Sequence, residues 1–425
     1  MKEYQINRRF FLKTTGAAGL SSVFHGCKRY EEKEPNTADP NVQVKTQEHE
    51  YPQLPKRKLG KTGIEVPSLA LGALFNLVEN QILLEKCFQW GVRLWDTAPD
   101  YAGENSELGI GKFISRHPET RKKLILVTKA SDAVTIEDVE KALKASLKRM
   151  NTKYVDIYYI MDRMSGPGYV GHGLSDPEKL TDDLRQWVEN AKKRKLIRFF
   201  GFSTHKNMAK CLAAAARLGW IDVAMTTYSY RIMQDNELQD AIQACHKAGI
   251  GLIAMKTQGR PQEKIETKED KKLTGHFLQK GFTEGQTKIK AVLQDERFSS
   301  ACVGMQDVNI LAQNVAAVLD KTNLTEQDME TLKEHAAATC SSYCAGCAYI
   351  CDSALPDTPY ISDIMRYLMY YNSYGDRDRA RELFAKIPAG IRYRLLSTDY
   401  NLAETLCPQH LPITRLVAEA VGKLA

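Results

Sequence analysis

Short apolar runs alternate with amphipathic segments between about residue 59 and residue 319. The runs are nearly all apolar, as expected of strands that are covered on both faces. Between them, apolar residues recur at helical spacing, and N-cap patterns with an acidic residue stand at 135–138 and 175–178. The pattern predicts eight strands, at residues 68–72, 91–95, 124–128, 155–160, 199–202, 223–226, 251–255 and 301–304.

Eight strands with eight crossovers predict an α/β fold, a (β/α)8 TIM barrel. The alternative is an open doubly wound sheet, which normally has a glycine-rich turn after its first strand. Gly109 and Gly111 lie inside a helical pattern instead, so packing explains them better. In a barrel, chemistry sits at the C-terminal ends of the strands. The candidate residues there are Asp96, Tyr101, Lys129, Met161, Ser203, His205, Tyr228, Lys256, Gly304 and Met305.

The N-terminus contains Arg8 and Arg9, followed by Phe10 and Lys13 and then by a weakly apolar stretch. This pattern is typical of a twin-arginine export signal over residues 1–27; a basic amphipathic helix of the mature domain is the alternative. It predicts the twin-arginine export machinery as a partner and a periplasmic or membrane-anchored location. A lipid anchor through Cys27 stays open. Residues 28–56 are polar and proline-containing, which predicts a flexible tether.

The composition narrows the class of protein. The chain has 425 residues, and 59 Lys and Arg against 52 Asp and Glu give a net charge of +7. Over this length that charge is mild and argues against a nucleic-acid-binding protein. No run of about 18 apolar residues occurs, so no transmembrane helix is expected. The length suits one large domain at 57–320 and a small, mainly helical, cysteine-containing region at 321–425.

Asp96, Tyr101 and Lys129 together have the chemistry of a proton donor. A tyrosine has an ordinary pKa of about 10 and is a poor acid at neutral pH. A neighbouring ammonium lowers that pKa by stabilising the phenolate, and an aspartate can hold the lysine in place. A plain ion pair between Asp96 and Lys129 with a packed tyrosine is the alternative interpretation.

Several motifs in order along residues 57–320 resemble the aldo–keto reductase family. They are residues 57–63 with Val66, Asp96 to Ala98 with Tyr101, residues 127–129, residues 201–203, and Gly304-Met305 with Leu311 and Asn314. The resemblance implies the barrel and hydride transfer between a nicotinamide and a small carbonyl or sugar-like substrate. It also implies that Tyr101 is the proton donor, that Lys129 tunes it and that Asp96 supports Lys129.

One position departs from the family pattern Asp-x-Tyr-x-x-His. The segment beginning at Asp156 has Met161 in the place of the catalytic histidine. A thioether cannot donate a hydrogen bond. Loss of one such donor costs about 3 kcal/mol, or roughly a hundredfold in rate. His205 and Arg163 are candidate substitutes; the alternative for His205 is a structural role.

The resemblance also implies a nicotinamide cofactor site. Ser203 matches the contact to the carboxamide and Asn314 the contact to the adenine. Met225 stands where many members have glutamine, and Gln306 where an arginine often meets the 2′-phosphate of NADP. The choice between NADP and NAD therefore stays open. The predicted cofactor-binding residues are Ser203, Tyr228, Lys256, Gly304, Met305, Gln313 and Asn314.

The C-terminal cysteines have metal-ligand spacing. Cys344, Cys347 and Cys351 are followed much later by Cys407 and a proline. They resemble the two ends of a ferredoxin-like tail found in some family members, and could hold one [4Fe–4S] cluster with Cys340 as a spare. A second cluster lacks its ligands. A structural zinc, disulfides and free thiols are the alternatives.

Two functions follow from these residues. The first is an exported aldo–keto-reductase-like oxidoreductase that depends on NAD or NADP. The second is a catalytically impaired barrel that acts as a binding protein, which Met161, Met225 and Gln306 favour. The retained Asp96, Tyr101 and Lys129 favour the enzyme, because a binding protein has no need of them.

Overall fold

The structure, a computed structural model, describes residues 51–425 apart from 52, 131–132, 134, 161–173, 175, 259–267, 340–343, 359 and 375. The export signal with Cys27, most of the tether, Met161 with Arg163, and Cys340 lie outside the described residues. Close to the barrel, the tether region is packed: Leu54 is buried, and the Pro55 carbonyl accepts a hydrogen bond from Ser68.

Eight parallel strands close into a barrel, which confirms the predicted fold and excludes the open sheet. Each predicted strand is present, with ends displaced by a few residues. The short apolar runs form strands because both faces are covered, by the barrel interior and by the surrounding helices. The strands are β3 (Leu69–Gly72), β4 (Leu94–Asp96), β5 (Ile125–Ala130), β6 (Val155–Ile160), β7 (Ile197–Thr204), β8 (Val223–Thr227), β9 (Gly251–Met255) and β10 (Phe298–Gly304).

A short antiparallel hairpin, β1 (Lys56–Lys58) and β2 (Glu65–Pro67), closes the N-terminal end of the barrel. Leu59 and Val66 are fully buried in the barrel-interior core. Arg57 donates to the carbonyl of Leu293, near the end of the helix that precedes β10, and to the carbonyl of Phe298, the first residue of β10. The hairpin therefore plugs the end opposite to the predicted active site.

Helices form the outer layer of the barrel. Thr135 and Asp138 form the predicted capping box. At the second predicted start the structure differs: Asp176 caps a single 3-10 turn (Pro177–Lys179), and Thr181 caps the helix that follows. The helices are α1 (Gln81–Gln89), α2 (Asn105–Arg116), α3 (Ile136–Arg149), α4 (Asp182–Lys193), α5 (Met208–Leu218), α6 (Asn236–Lys247), α7 (Lys268–Gln279), α8 (Glu284–Gln294) and α9 (Val308–Leu319).

The C-terminal region is helical, as predicted. Helix α10 (Glu326–Ala338) begins at a capping box formed by Thr325 and Asp328 and packs on the barrel layer. The remaining helices share a core of their own, and we call them the helical module. They are α11 (Ala348–Ala354), α12 (Ile361–Met369), a π turn (Tyr370–Tyr374), α13 (Arg377–Ala385), α14 (Ala389–Arg394), α15 (Asn401–Leu406) and α16 (Ile413–Leu424). In the described ranges, no helix is long and apolar enough to span a membrane.

Asp328 links α10 to the barrel layer. Its contacts predict that the free energy of unfolding depends on pH. Burial opposes its ionisation, but hydrogen bonds from Lys280, His276 and Thr325 outweigh burial and hold the pKa of Asp328 well below its ordinary value. A group with a lowered folded-state pKa stabilises the fold above its unfolded pKa, about 3.9, and loses that contribution as the pH falls below it.

We expect Asp328→Asn to lower the free energy of unfolding by about 2 kcal/mol at neutral pH, the value of hydrogen bonds to a charged group. Urea unfolding at several pH values measures this difference. The gap between the two proteins is expected to shrink as the pH falls from about 5 toward 2. A gap that does not change over this range would contradict the assigned role of the carboxylate.

Candidate active site

The predicted catalytic residues meet at one end of the barrel. Asp96 is the last residue of β4, and Lys129 lies near the end of the neighbouring strand β5. Ser203 is near the end of β7, while Lys256 directly follows β9. Because all eight strands are parallel, their C-terminal ends form one mouth. Met161, which follows β6, lies outside the described residues.

A buried ion pair forms the floor of this mouth. Lys129 Nζ lies 2.8 Å from each of the two Asp96 carboxylate oxygens and 2.8 Å from the Thr97 carbonyl oxygen. The two side chains are only 3% and 6% exposed. Burial raises the pKa of Asp96 above its ordinary value, and the Lys129 ammonium opposes this rise. The pair therefore holds the Lys129 ammonium in one position at the mouth.

Tyr101 lies against that charge. Lys129 Nζ stands 4.7 Å from the centre of the Tyr101 ring. The tyrosine is half-buried in the turn that joins β4 to α2, and its amide donates to the Ala98 carbonyl at 3.2 Å. The Lys129 side chain therefore lies over the Tyr101 ring. The structure thus brings Asp96, Tyr101 and Lys129 together.

Two buried polar atoms fit a bound nucleotide. In the described part, Asn314 Nδ2 and Thr257 Oγ1 are buried and have no hydrogen-bond partner. Gln258 donates to the other amide atom of Asn314, its Oδ1, at 2.9 Å. Buried polar groups normally have partners, so these two atoms are candidates for contacts to a bound cofactor. Sequence reasoning missed Thr257, although it directly follows Lys256 at the end of β9.

Three other predicted cofactor-binding side chains have different surroundings. The Tyr228 hydroxyl donates to Asp295 at 2.8 Å, and its ring stacks on Phe298 at 4.3 Å. Because side chains alternate between the two faces of a strand, the Tyr228 side chain points into the layer between the barrel and the helices. Met305 is fully buried in that same layer. The Gln313 side chain is exposed, while Gly304 ends β10 at the mouth.

The end of β7 carries His205, one of the candidate substitutes for the missing histidine. Its Nδ1 lies 3.0 Å from Thr227 Oγ1 at the end of β8. On the same strand, a Cβ at Gly201 would overlap the Val223 carbonyl oxygen, which explains the glycine of the 201–203 motif. Tyr159, on β6, was missed: it is fully buried inside the barrel, where burial and the Asp96 charge raise the pKa of its hydroxyl.

The helical module is docked on the barrel beside His205. Lys206 Nζ is buried and lies 2.9 Å from Asp363 and 3.5 Å from Asp352, both in the module. Gly346 has a φ of +89°, and a Cβ there would overlap the His205 carbonyl oxygen. This close backbone approach places the cysteine segment directly against the β7 loop.

The four predicted metal-binding cysteines line one pocket of the module. Cys344, Cys347, Cys351 and Cys407 share it with apolar side chains such as Ile350 and Met365. Burial raises the pKa of Cys344 to about 12 and raises the pKa of Cys347 as well. None of the eight cysteines in the described ranges forms a disulfide.

Single-ion binding has no support in the described residues, where no group of three or more His, Cys, Asp or Glu side chains could hold a metal ion. The zinc alternative is therefore not borne out for this part of the chain. The predicted [4Fe–4S] cluster is likewise not supported by the described residues, although its four cysteines line the same pocket.

Known proteins resemble this chain across the barrel. The model of the aldo/keto reductase family matches residues 74–337, more than half of the chain. L-galactose dehydrogenase of Arabidopsis thaliana is 26% identical over 304 residues, which are 65% of this chain and 92% of that protein. The aldo-keto reductase AFTS1 of Alternaria alternata is 23% identical over 243 residues, 47% of this chain and 63% of that protein.

A solved structure shows the same fold. The thermostable aldo-keto reductase Tm1743 superimposes with a TM-score of 0.53 at 23% identity, over 66% of this chain and all of that one. The family's members are NAD(P)-dependent oxidoreductases, and the binding-protein alternative is not favoured. The match to the family model and the shared barrel show that the chain belongs to the aldo/keto reductase family and is an NAD(P)-dependent oxidoreductase.

Proposed function

We propose that the chain reduces a carbonyl compound to an alcohol with Tyr101 as the proton donor. The observation that carries this proposal is the buried Asp96–Lys129 pair, whose ammonium lies 4.7 Å from the centre of the Tyr101 ring. Moving two charged groups out of water costs free energy. Their mutual attraction offsets this cost only when the geometry is good and further hydrogen bonds are made. A catalytic role explains why the charges stand at the mouth.

In this reaction a reduced nicotinamide cofactor, when bound, would supply the hydride for the carbonyl carbon. The Tyr101 hydroxyl donates its proton to the carbonyl oxygen, so that the substrate becomes an alcohol. Proton transfer leaves negative charge on Tyr101, which the Lys129 ammonium stabilises. Asp96 holds Lys129 in position through two hydrogen bonds.

The cofactor would lie across the mouth between β7 and β10. Ser203 is the proposed contact to the nicotinamide end of the cofactor, and Asn314 is the proposed contact to the adenine end. Thr257, which lies between these two residues in the sequence, adds a hydroxyl group. A fluorescence titration with NADH and with NADPH tests this site. Saturable binding is expected for one of the two cofactors. The cofactor that binds more tightly decides between NADP and NAD, a choice that Gln306 leaves open. Absence of binding at millimolar concentrations of both would contradict the proposal.

The proposed substrate is a sugar-like carbonyl compound. Support comes from the L-galactose dehydrogenase relative, which aligns over 92% of its own length. His205, oriented by Thr227 at the mouth, supplies a polar side chain for a hydroxyl-rich substrate. A screen of aldoses against simple aldehydes checks this: higher kcat/KM for an aldose supports it, and activity confined to apolar aldehydes would contradict it.

We further propose that Cys344, Cys347, Cys351 and Cys407 hold one [4Fe–4S] cluster. Four thiols in one apolar pocket favour it, because thiolates are the ligands of such clusters. Thiolates without a cation would be costly there, since burial raises the pKa of Cys344 and Cys347. A bound cluster would supply the compensating positive charge, as well as one-electron redox capacity.

Iron analysis of anaerobically purified protein tests this proposal. About four iron atoms per chain and a broad absorbance near 400 nm are expected. Cys407→Ala is expected to lose most of the iron. Cys211→Ala is the matched control, because Cys211 is buried on α5, away from the pocket. Wild-type protein without iron after anaerobic reconstitution would contradict the proposal.

We also propose export by the twin-arginine route, supported by Arg8 and Arg9 in their sequence setting. Cell fractionation of the wild type and of an Arg8→Lys, Arg9→Lys variant tests it. The variant is expected to stay in the cytoplasm. Equal distribution of the two proteins would contradict the proposal, and a mass increase at Cys27 in the mature protein would identify a lipid anchor.

A further inference from the structure

The turn that carries Tyr101 has an unfavourable backbone. Ala102, Gly103 and Glu104 have φ values of 51°, 59° and 71°. This left-handed region is unfavourable for a non-glycine residue because its Cβ comes too close to the following carbonyl oxygen. Ala102 and Glu104 therefore oppose this conformation, and contacts from outside the turn must maintain it.

Two arginines form ion pairs with residues of the turn and of the helix that follows it. Arg149, on α3, lies 3.0 Å from Glu104 and 2.6 Å from Glu107. Arg379, on α13 of the helical module, lies 2.6 Å from Asp100, the residue just before Tyr101. The Asp100 and Arg379 side chains are only 18% and 21% exposed, so solvent screens this ion pair less than one on an open surface.

Arg379 comes from a firmly packed support. Its neighbours on α13, Ala380, Leu383 and Phe384, are buried in the core of the module. The module itself is fixed to the barrel by Lys206, whose buried ammonium contacts Asp363 at 2.9 Å. The guanidinium therefore projects from a rigid element onto the strained turn.

We propose that Arg379 is a positioning residue for Tyr101, so that the helical module completes the active site of the barrel. The inference rests on the proposed role of Tyr101 as proton donor. The ion pair between Arg379 and Asp100 fixes the turn in the conformation that keeps Tyr101 against Lys129. Without this ion pair the turn relaxes. Tyr101 then spends less time in the position from which its hydroxyl protonates the substrate.

Arg379→Gln removes the ion pair and keeps a polar side chain. Hydrogen–deuterium exchange in the peptide covering residues 97–108 is expected to become about tenfold faster. With NADPH and 4-nitrobenzaldehyde as probes, kcat is expected to fall about tenfold, while the Kd for NADPH changes less than twofold. Arg379→Lys, which keeps the charge, is expected to recover a large part of kcat.

Arg381→Gln is the matched control, because Arg381 lies on the same helix and contacts Lys423 and Tyr371 instead. It is expected to leave exchange and kcat unchanged. Wild-type exchange in Arg379→Gln would overturn the inference, as would equal effects of both variants. The exchange result needs no turnover, so an inactive wild type would refute the proposed function and leave the positioning claim to be decided separately.

Discussion

Tyr101→Phe is expected to lower kcat for carbonyl reduction by a factor of about 10² to 10⁴, the usual contribution of a positioned general acid. The substitution removes only the hydroxyl. The ring stays over Lys129, and the Asp96–Lys129 pair keeps its hydrogen bonds. Cofactor affinity is therefore expected to stay within about twofold, because the phenol acts on the substrate oxygen. Steady-state kinetics with NADPH and an aldehyde measure kcat, and a fluorescence titration measures the cofactor affinity.

The control for this variant is Tyr393→Phe. Tyr393 is 90% exposed on α14 of the helical module, so loss of its hydroxyl is expected to change neither quantity. A Tyr101→Phe protein that keeps wild-type kcat would exclude Tyr101 as the proton donor. His205, which is also at the mouth, would then be the first alternative to examine.

Asp156→Ala is expected to lower the free energy of unfolding by about 3–5 kcal/mol, the cost of breaking a buried ion pair by removing one partner. Asp156 is fully buried on β6. Its carboxylate accepts hydrogen bonds from Arg121 at 2.9 Å, Arg198 at 2.7 Å and the Leu126 amide at 3.0 Å. Alanine would leave the buried Arg121 guanidinium without its counter-charge.

Chemical denaturation of the purified variants measures this loss. Asp156→Asn keeps part of the hydrogen bonding and is expected to be intermediate. Glu65→Ala, at an exposed position of β2, is the control and is expected to change stability by less than about 0.5 kcal/mol. A loss below about 1 kcal/mol for Asp156→Ala would mean that Arg121 finds other partners.

The barrel strands could be predicted from sequence because they are short and buried on both faces. Such strands have no polar face, so runs like residues 155–160 and 251–255 stand out against the amphipathic helices. The hairpin β1–β2 could not be predicted in this way. Its strands have only three residues each, so they are too short to show an apolar run or a clear alternation.

The catalytic unit could be predicted because strand ends carry it. Asp96 and Lys129 close neighbouring strands, and the parallel topology alone brings them together. Tyr228 also follows a strand, yet its side chain faces Asp295 and Phe298 in the outer layer. A shift of one position reverses the face of a strand residue, and the end of a strand is the least reliable boundary in sequence.

Contacts of the helical module with the barrel could not be predicted. Asp100 and Arg379 are far apart in sequence, and neither belongs to a motif. Lys206 and Asp363 pair across the same interface. The cysteine set is an intermediate case: the sequence predicted Cys407 together with Cys344, Cys347 and Cys351, and the structure shows that all four line one pocket.

Transfer of deuterium from labelled cofactor is the most direct test of the proposed reaction. The wild-type protein would be mixed with NADPH or NADH carrying deuterium at C4 of the nicotinamide, together with aldoses and simple aldehydes. Deuterium is expected on the carbinol carbon of an alcohol product, and this product is expected to be lost in Tyr101→Phe. Tight cofactor binding without deuterium transfer to any of these compounds would contradict carbonyl reduction by this barrel.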